Sequence, residues 1–516
     1  MADRIHITTA IAYSNGPPHI GHAYEFLATD TYARYQRRKL GRENVTFVTG
    51  TDEHGQKNRD AAAAEKLSPK AFADKISSIF RAADAELGIE YDYFVRTTDP
   101  AHEAFVQEML RRTHERGDIY FKDYEGYYCV GCERFYTDKE LLDGNVCPVH
   151  KKPVEFVKEG NYFLKLEKYR DQIRAHIESN ADFIRPERYR NEALRMLDEP
   201  LSDLSISRPK ARLDWGIELP FDSNFVTYVW YDAFWAYLSP LSPTGDEALL
   251  KRTLPVTEHF IGKDILKTHA VYWPAMLLAL GLPLFRHLNV HGFLNFGGER
   301  MSKSSGNIVD PHELSQKYGS DVLRYFVLRE FVYGLDGDFT EDRLIDRFNA
   351  DLANDIGNLT SRVLSMAARY FNGEITETPG AGGDAQDAAL AEMFTTLGAR
   401  VAPQVEELAF NRALETIWQV LDAANKYIVA TSPFTLAKDP ASLPRVAQIL
   451  ANLVEGLRVI ADTLEPFMPL TSKKILELLN VDDKMAREPF GKGIRVGHRV
   501  KPTTPIFPRI DKKARA

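Results

Sequence analysis

The stretch that most constrains this sequence is a strand that turns directly into a helix. Run 5–11 is apolar and β-branched, run 22–39 has helical spacing, and His19-Ile20-Gly21-His22 joins them. The alternation continues. Run 44–49 is strand-like, 69–87 carries Phe72, Ile76, Ile79 and Phe80 near a 3.6 spacing, and 91–97 is again strand-like. Pro100 falls in the first turn of a helix containing Phe105 and Leu110. Strand and helix in strict alternation predict a parallel, doubly wound α/β sheet, whose ligands bind at the carboxyl ends of the strands. A helix N-terminus behind such a strand offers backbone N–H groups and a positive dipole end, a natural seat for phosphate. Gly21 has no Cβ, so a nucleotide base can lie against the backbone. His19 and His22, three apart, emerge on one side of the first turn and can donate to phosphate oxygens. Far downstream, Arg300-Met301-Ser302-Lys303-Ser304 sits in a loop flanked by Gly297, Gly298 and Gly306. From there Lys303 can swing onto charge developing at a phosphate.

The alternation breaks over 117–225, which holds all the cysteines, charged helix-like segments and several aromatics. We expect a connective insertion there. Strands resume at 225–228, 259–261 and 288–290, with a helix over 268–280 between the last two. Beyond residue 342 the periodicity is helical throughout, in runs 349–367, 386–402, 409–430 and 443–464, with a Gly-rich loop at 379–383. Such runs predict a bundle of stacked antiparallel helices. Several domains are what a chain of 516 residues requires.

Hydrophobic residues make up 44% and charged residues 27% of the chain, a soluble globular balance. No apolar run reaches membrane-spanning length, and no cleavable apolar leader precedes the first strand. A cytoplasmic protein without membrane partners is expected. The net charge of −8 does not announce a nucleic-acid binder, but a local patch suffices for one. The stretch 492–515 is strongly basic. It is either such a patch or a solvated tail.

The three cysteines are Cys129, Cys132 and Cys147, and His150 follows the last. An odd count in a cytosolic chain argues against a disulfide framework. The pattern Cys129-x-x-Cys132, then Cys147-x-x-His150, supplies three thiolates and an imidazole, a closed tetrahedral set for Zn2+. With all four positions filled by protein, the site is structural.

Together, His19–His22 and Arg300–Ser304 resemble the HIGH and KMSKS signatures of class I aminoacyl-tRNA synthetases. Arg300 stands where the second signature begins with lysine. Further residues resemble the methionyl-tRNA synthetase family over nearly the whole chain. The resemblance implies ATP-dependent activation of L-methionine, with Mg2+ assisting pyrophosphate departure, and transfer of the methionyl group to tRNA(Met). It implies catalytic roles for His19, His22 and Lys303, and ATP contacts from these with Gly21, Lys263 and Arg300. It implies a methionine pocket of Ala10, Ile11, Tyr13, Asp52, Trp230, Tyr237, Ile265 and His269. Asp52 would pair the substrate ammonium, while the aromatics pack the thioether. Tyr13 and His269 could offer hydrogen bonds to the sulfur. Arg208 and Lys263 match family segments near the site, and either phosphate binding or surface ion pairing accounts for them.

The resemblance divides the chain into a Rossmann-like catalytic domain (1–116 and 226–290) split by a zinc-knuckle insertion (117–225). A loop and stem-contact region (291–348) and a helical anticodon-binding domain (349–516) follow. Asn354, Asn358 and Arg362 lie four apart on one helix face, of which Asn358 and Arg362 would read the anticodon, and Phe434 would stack on one of its bases. The module that dimerises some family members is missing after the bundle, so a monomer is expected. Another class I synthetase, or a non-catalytic tRNA-binding paralogue, is the alternative.

Overall fold

The computed structural model describes residues 4–129, 134–136, 140–149, 151–297, 299–300, 309–380 and 383–511. The chain forms two compact units. One comprises Met1–Thr29 with Gln36–Phe293, and the other Asp30–Tyr35 with Leu294–Ala516.

The first unit is built on a seven-stranded parallel sheet. Its order is Ala12–Tyr13, Val45–Asp52, Ile5–Thr9, Thr257–Gly262, His287–His291, Ile184–Arg185, with Tyr93–Arg96 also pairing Val45–Asp52. Ile5–Thr9, Thr257–Gly262 and His287–His291 are buried along their whole length, as a sheet covered on both faces requires. From the central strand Ile5–Thr9 the chain winds outward on one side through Val45–Asp52 to Tyr93–Arg96. It later returns on the other side through Thr257–Gly262 and His287–His291. The reversal opens a crevice at the carboxyl ends of Ile5–Thr9 and Thr257–Gly262, where open α/β sheets bind ligands.

Several polar side chains inside this sheet are paired. Trp273 Nε1 donates to His259 Nε2 at 3.1 Å, which leaves His259 Nδ1 to donate to Thr8 Oγ1 at 2.7 Å. Thr9 and Thr49 hydroxyls meet at 2.7 Å.

The helix Pro69–Leu87 has the expected bounds. Two expectations need correction. The strand at 225–228 is Asp222–Thr227, and it does not extend the parallel sheet. It pairs antiparallel with Ser207–Pro209 and Glu218–Leu219, its neighbours in sequence. Within 117–225, the strand Ile184–Arg185 joins the parallel sheet beside His287–His291, so that segment is not wholly separate from the core. The rest of the segment holds an antiparallel sheet ordered Arg134–Tyr136, Ile119–Cys129, Glu155–Leu164, Leu204–Ser205. The helix at 268–280 begins as a π-turn, Thr268–Tyr272, before the α-helix Trp273–Ala279. Pro274 cannot donate a backbone hydrogen bond, and the wider turn absorbs that loss.

In the second unit, Leu294–Phe296 pairs with Gly337–Phe339 and Glu299–Arg300. Long helices follow, including Asn358–Phe371, Ala385–Glu406, Phe410–Thr431 and Leu443–Leu464. Gly456 lets two of them close. A Cβ there would lie 2.1 Å from the Phe394 ring. The described part of the basic stretch is not a loose tail. Ile510 N donates to Asn349 Oδ1, and Asn349 Nδ2 returns the bond to Ile510 O, both at 2.9 Å, while Phe507 packs on Phe348. Among the described residues, no helix is long and apolar enough to cross a membrane.

The loop before this strap is held by one buried ion pair. Glu455 and Arg458 are both 0% exposed and meet through two hydrogen bonds of 2.8 and 2.7 Å. Glu455 also accepts the N–H groups of Gly491, Gly493 and Ile494, and Arg458 donates to the carbonyls of Met485, Ala486 and Pro489. Glu455→Ala would strand the buried guanidinium, and should destabilise this unit by about 3–5 kcal/mol. Thermal melting, with limited proteolysis over 485–500, checks this. An unchanged midpoint and cleavage pattern would contradict it.

Candidate active site

The helix Ile20–Leu40 starts at the crevice with His19 as its N-cap. The cap is reciprocal. His19 Nδ1 accepts from Gly21 N at 3.1 Å, and His22 Nδ1 accepts from His19 N at 3.2 Å. The two rings stack with centroids 3.9 Å apart. Accepting at Nδ1 places the proton of each neutral ring on Nε2, so both imidazoles are donors at their outer nitrogen. Gly21 is required by this packing, since a Cβ would come within 2.9 Å of the His19 ring. There is no acidic residue in the first turn to compete with an incoming anion, and Arg37, Arg38 and Lys39 complement the far end of the dipole.

Ala10, Tyr13, Trp230 and Ile265 are each only partly buried, and all four rest on one continuous apolar core. Half-exposed apolar groups on a rigid floor are what a small hydrophobic pocket needs. Ile11 lies deeper, within that core. Asp52 ends the strand Val45–Asp52 opposite Tyr13. Its carbonyl accepts from Ser14 N and Oγ and from Asn58 Nδ2, which fixes the turn. Tyr237 is buried, and burial together with the nearby carboxylates of Glu25 and Asp52 pushes its hydroxyl well above the usual phenol range.

Tyr237 O–H donates to His269 Nε2 at 2.8 Å, and His269 Nδ1 donates to Ile265 O at 3.0 Å. Both ring nitrogens are thus engaged inside the protein. Burial, against a small opposing effect of the Ile265 carbonyl, lowers the His269 pKa to about 4. The ring is neutral and orients Tyr237 and Ile265. The expected hydrogen bond from His269 to a sulfur acceptor has no donor to spare here. The Trp230 ring meets His269 edge-on at 6.4 Å.

The sequence did not single out Glu25 and His291. Glu25 Oε1 accepts from Ala10 N at 2.9 Å, and Oε2 meets His291 Nε2 at 3.0 Å. Burial opposes charging His291, yet the Glu25 carboxylate raises its pKa. The pair ties the first turns of Ile20–Leu40 to the end of His287–His291. Only a fold could reveal it, because 266 positions separate the partners.

Lys263 begins the turn after Thr257–Gly262, with its ammonium over the Phe293 ring at 4.5 Å. Arg208 is not surface-exposed. It is 2% accessible, lies over the rings of Tyr228 (4.7 Å) and Tyr128 (5.1 Å), and donates to Ser205 Oγ and Ser207 O. It is a structural cation joining two antiparallel sheets. Lys303 lies outside the described residues, as does the side chain of Arg300.

Cys129 and Cys147 are both buried, in one small cluster with Tyr136. Cys147 Sγ lies 3.7 Å from the Tyr136 hydroxyl. The Cys147 thiol donates to that hydroxyl, and with a metal bound the hydroxyl would donate back to a Cys147 thiolate as its outer partner. Cys132 and His150 lie outside the described residues. In the second unit, Asn354 and Asn358 are exposed, Arg362 is half-buried, and the Phe434 ring is 46% exposed. The helix bearing the first three changes from a π-helix, Phe348–Gly357, to the α-helix Asn358–Phe371.

The family described as tRNA synthetases class I (M) matches residues 5–152 and 139–364. The anticodon binding domain of methionyl tRNA ligase matches 378–516. A methionine–tRNA ligase of Caldanaerobacter subterraneus subsp. tengcongensis is 43% identical over 514 residues, 99% of this chain and 80% of that protein. One from Mycobacterium tuberculosis is 42% identical over 511 residues, 98% of this chain and 97% of that protein. The solved Mycobacterium tuberculosis methionyl-tRNA synthetase in complex with methionyl-adenylate superposes with a TM-score of 0.92 at 41% identity. It covers 98% of this chain and 100% of that one. The apo form gives 0.87 at 38% identity, with 99% of each chain covered.

The buried neutral histidines predict acid lability. His6 donates through Nε2 to Tyr237 O at 2.8 Å, and burial lowers its pKa to about 4, as for His269. Unfolded, each ring titrates near 6.5, so the unfolded chain binds protons first. Stability is complete above that pH and falls between 6.5 and 4. His6→Gln keeps a donor but removes a proton site. It should flatten the decline by on the order of 3 kcal/mol across this window. Denaturant titrations at stepped pH measure it. An unchanged slope would contradict the assignment.

Proposed function

The chain belongs to the methionyl-tRNA synthetase family of class I, and we propose that the crevice beside His19 is where it carries out that family's reaction. The chain is a methionine–tRNA ligase. ATP and L-methionine give methionyl-adenylate and pyrophosphate, and the methionyl group then passes to the 3′ end of tRNA. The observation that carries the assignment of the site is the imidazole-capped helix N-terminus that follows the central strand at the reversal of the parallel sheet, together with partly buried apolar groups that share one core.

ATP enters with its phosphates at the first turn of Ile20–Leu40, where backbone N–H groups and the outer nitrogens of His19 and His22 meet them. Gly21 leaves room for the adenosine. Lys263, Arg300 and Lys303 supply further positive charge, and Lys303 acts on the charge that develops at the α-phosphate. ATP arrives as its Mg2+ complex, the ion neutralising the pyrophosphate that departs. Asp52 receives the methionine ammonium. Ala10, Ile11, Tyr13, Trp230, Tyr237 and Ile265 enclose the side chain, and His269 orients Tyr237. The reaction needs little covalent help from the protein. Positioning and charge supply the rate.

Asn358, Arg362 and the exposed ring of Phe434 read the anticodon of tRNA(Met) on the helical unit. Cys129, Cys132, Cys147 and His150 would hold a zinc ion, which would crosslink the knuckle of the insertion and take no part in the chemistry. The protein works in the cytoplasm.

Methionine-dependent exchange of labelled pyrophosphate into ATP, followed by charging of tRNA(Met), tests the reading. Lys303→Ala should slow exchange by at least ~100-fold with methionine affinity nearly intact, because its charge is needed only in the transition state. Arg362→Ala should leave exchange near normal and reduce charging by a factor worth ~1–3 kcal/mol, as for loss of a base-edge contact. Normal exchange by the Lys303 variant, or equal loss of both activities by the Arg362 variant, would overturn those roles. Elemental analysis should find about one zinc per chain, as a closed four-ligand set requires. Cys147→Ala should lose metal and thermal stability together. A metal-free wild-type protein with the same melting point would remove zinc from the account.

A further inference from the structure

Asp232 is fully buried, and each of its carboxylate oxygens meets an imidazole. Oδ2 lies 2.7 Å from His54 Nδ1, and Oδ1 lies 2.7 Å from His102 Nε2. The other nitrogen of His102, Nδ1, is 2.9 Å from Ser239 Oγ. Burial alone would raise the Asp232 pKa, but the two imidazoles together hold it below the usual carboxylate range. Asp232 is therefore the acceptor. His54 donates from Nδ1 and His102 from Nε2, and His102 Nδ1 then accepts the Ser239 hydroxyl. A single neutral tautomer of His102 satisfies both of its nitrogens. Glu103, the other carboxylate nearby, stands 3.8 Å from His54 Nε2, too far for a hydrogen bond.

The placement of these groups is informative. His54 stands two residues after Asp52, Asp232 two after Trp230, and Ser239 two after Tyr237. Three walls of the methionine pocket are thus each anchored two residues beyond the residue that faces the ligand. Asp232 and Ser239 both meet His102, which is 2% exposed and projects from the helix Pro100–Glu115, and His54 reaches it through Asp232. The turn at Asp52 is braced again by Asn58 Nδ2, which donates to the carbonyls of Asp52 and His54, and by Trp215 Nε1, which donates to Glu53 O. Fully satisfied buried polar networks fix geometry, and a lost partner leaves a buried group wanting.

We propose that His102 is a positioning residue for methionine: through Asp232 and Ser239 it sets the spacing of the walls that carry Asp52, Trp230 and Tyr237. This rests on the methionine pocket proposed above. His102 makes no contact with ligand in this account. It acts by holding others within the small tolerance that productive binding allows.

The test measures kinetic constants for methionine and ATP in pyrophosphate exchange, together with the melting temperature. His102→Phe removes both hydrogen bonds at similar volume, and should raise the methionine KM at least ~10-fold with the ATP KM within about twofold. His102→Gln can place an amide donor near the Nε2 position, and should recover most of the lost affinity. Ser239→Ala deletes one hydroxyl, and should raise the methionine KM about threefold. It decides the matter if His102→Phe does not fold. Parallel rises in both KM values without rescue by glutamine would reduce the network to scaffold and overturn the proposal. Trp230→Ala separates the two readings. A wild-type methionine KM there overturns the pocket and this proposal with it. A weakened Trp230→Ala beside unaffected His102→Phe and Ser239→Ala overturns the proposal alone.

Discussion

The site depends on one helix N-terminus and the pair of imidazoles that cap it. A helix must leave its first N–H groups without intrahelical partners, and in most helices a short hydroxyl or carboxylate side chain takes one of them. Here two histidines do so through Nδ1, each bonding near the other's backbone. A carboxylate cap would bring negative charge to a place proposed for triphosphate. An imidazole caps equally well, carries no negative charge, and keeps its proton on the opposite nitrogen. The capping bond that stabilises the helix is thus also what aims the proposed catalytic donors. The parallel sheet delivers this N-terminus to the reversal point because Ile5–Thr9 is its central strand.

Around that point the interior is unusually polar. Thr8, His259 and Trp273 form one chain of hydrogen bonds, Glu25 and His291 a second, and His54, Asp232, His102 and Ser239 a third. Each costs desolvation that apolar packing would avoid. What they supply is register. An apolar core of the right volume tolerates small slips between elements, whereas a directional network does not. For a proposed pocket that must distinguish a thioether chain from other apolar side chains, small slips matter, since a single methylene is worth only about 1–3 kcal/mol. The neutral histidines of this interior also explain why acid should damage the protein before its carboxylates titrate.

Much of this was legible in sequence, and the failures have physical causes. The strand and helix flanking His19, the helix Pro69–Leu87 and the long helices of the second unit announce themselves by periodicity over many residues. Ile184–Arg185 spans two residues and has no period to detect, yet it extends the sheet. Asp222–Thr227 has good strand composition, but composition does not say which strand it will pair with. The π-turn before Trp273 follows from Pro274, a residue visible in sequence whose local remedy is not. Apolar site residues such as Trp230 and Ile265 could be named from the motifs around them. Glu25, His102 and Asp232 could not, because their meaning lies in partners more than a hundred residues distant.

The central claim is spatial. The reaction is proposed to take place between the first turn of Ile20–Leu40 and the wall formed by Trp230, Tyr237 and Ile265. A crystal structure of this chain with a non-hydrolysable mimic of methionyl-adenylate tests it most directly. The account predicts the phosphate isostere at the N–H groups and outer imidazole nitrogens of His19 and His22, the ammonium at Asp52, and the thioether against Trp230 and Ile265. A mimic bound with its side chain away from that wall, or with His19 and His22 turned so that Nδ1 rather than Nε2 faces the ligand, would contradict it.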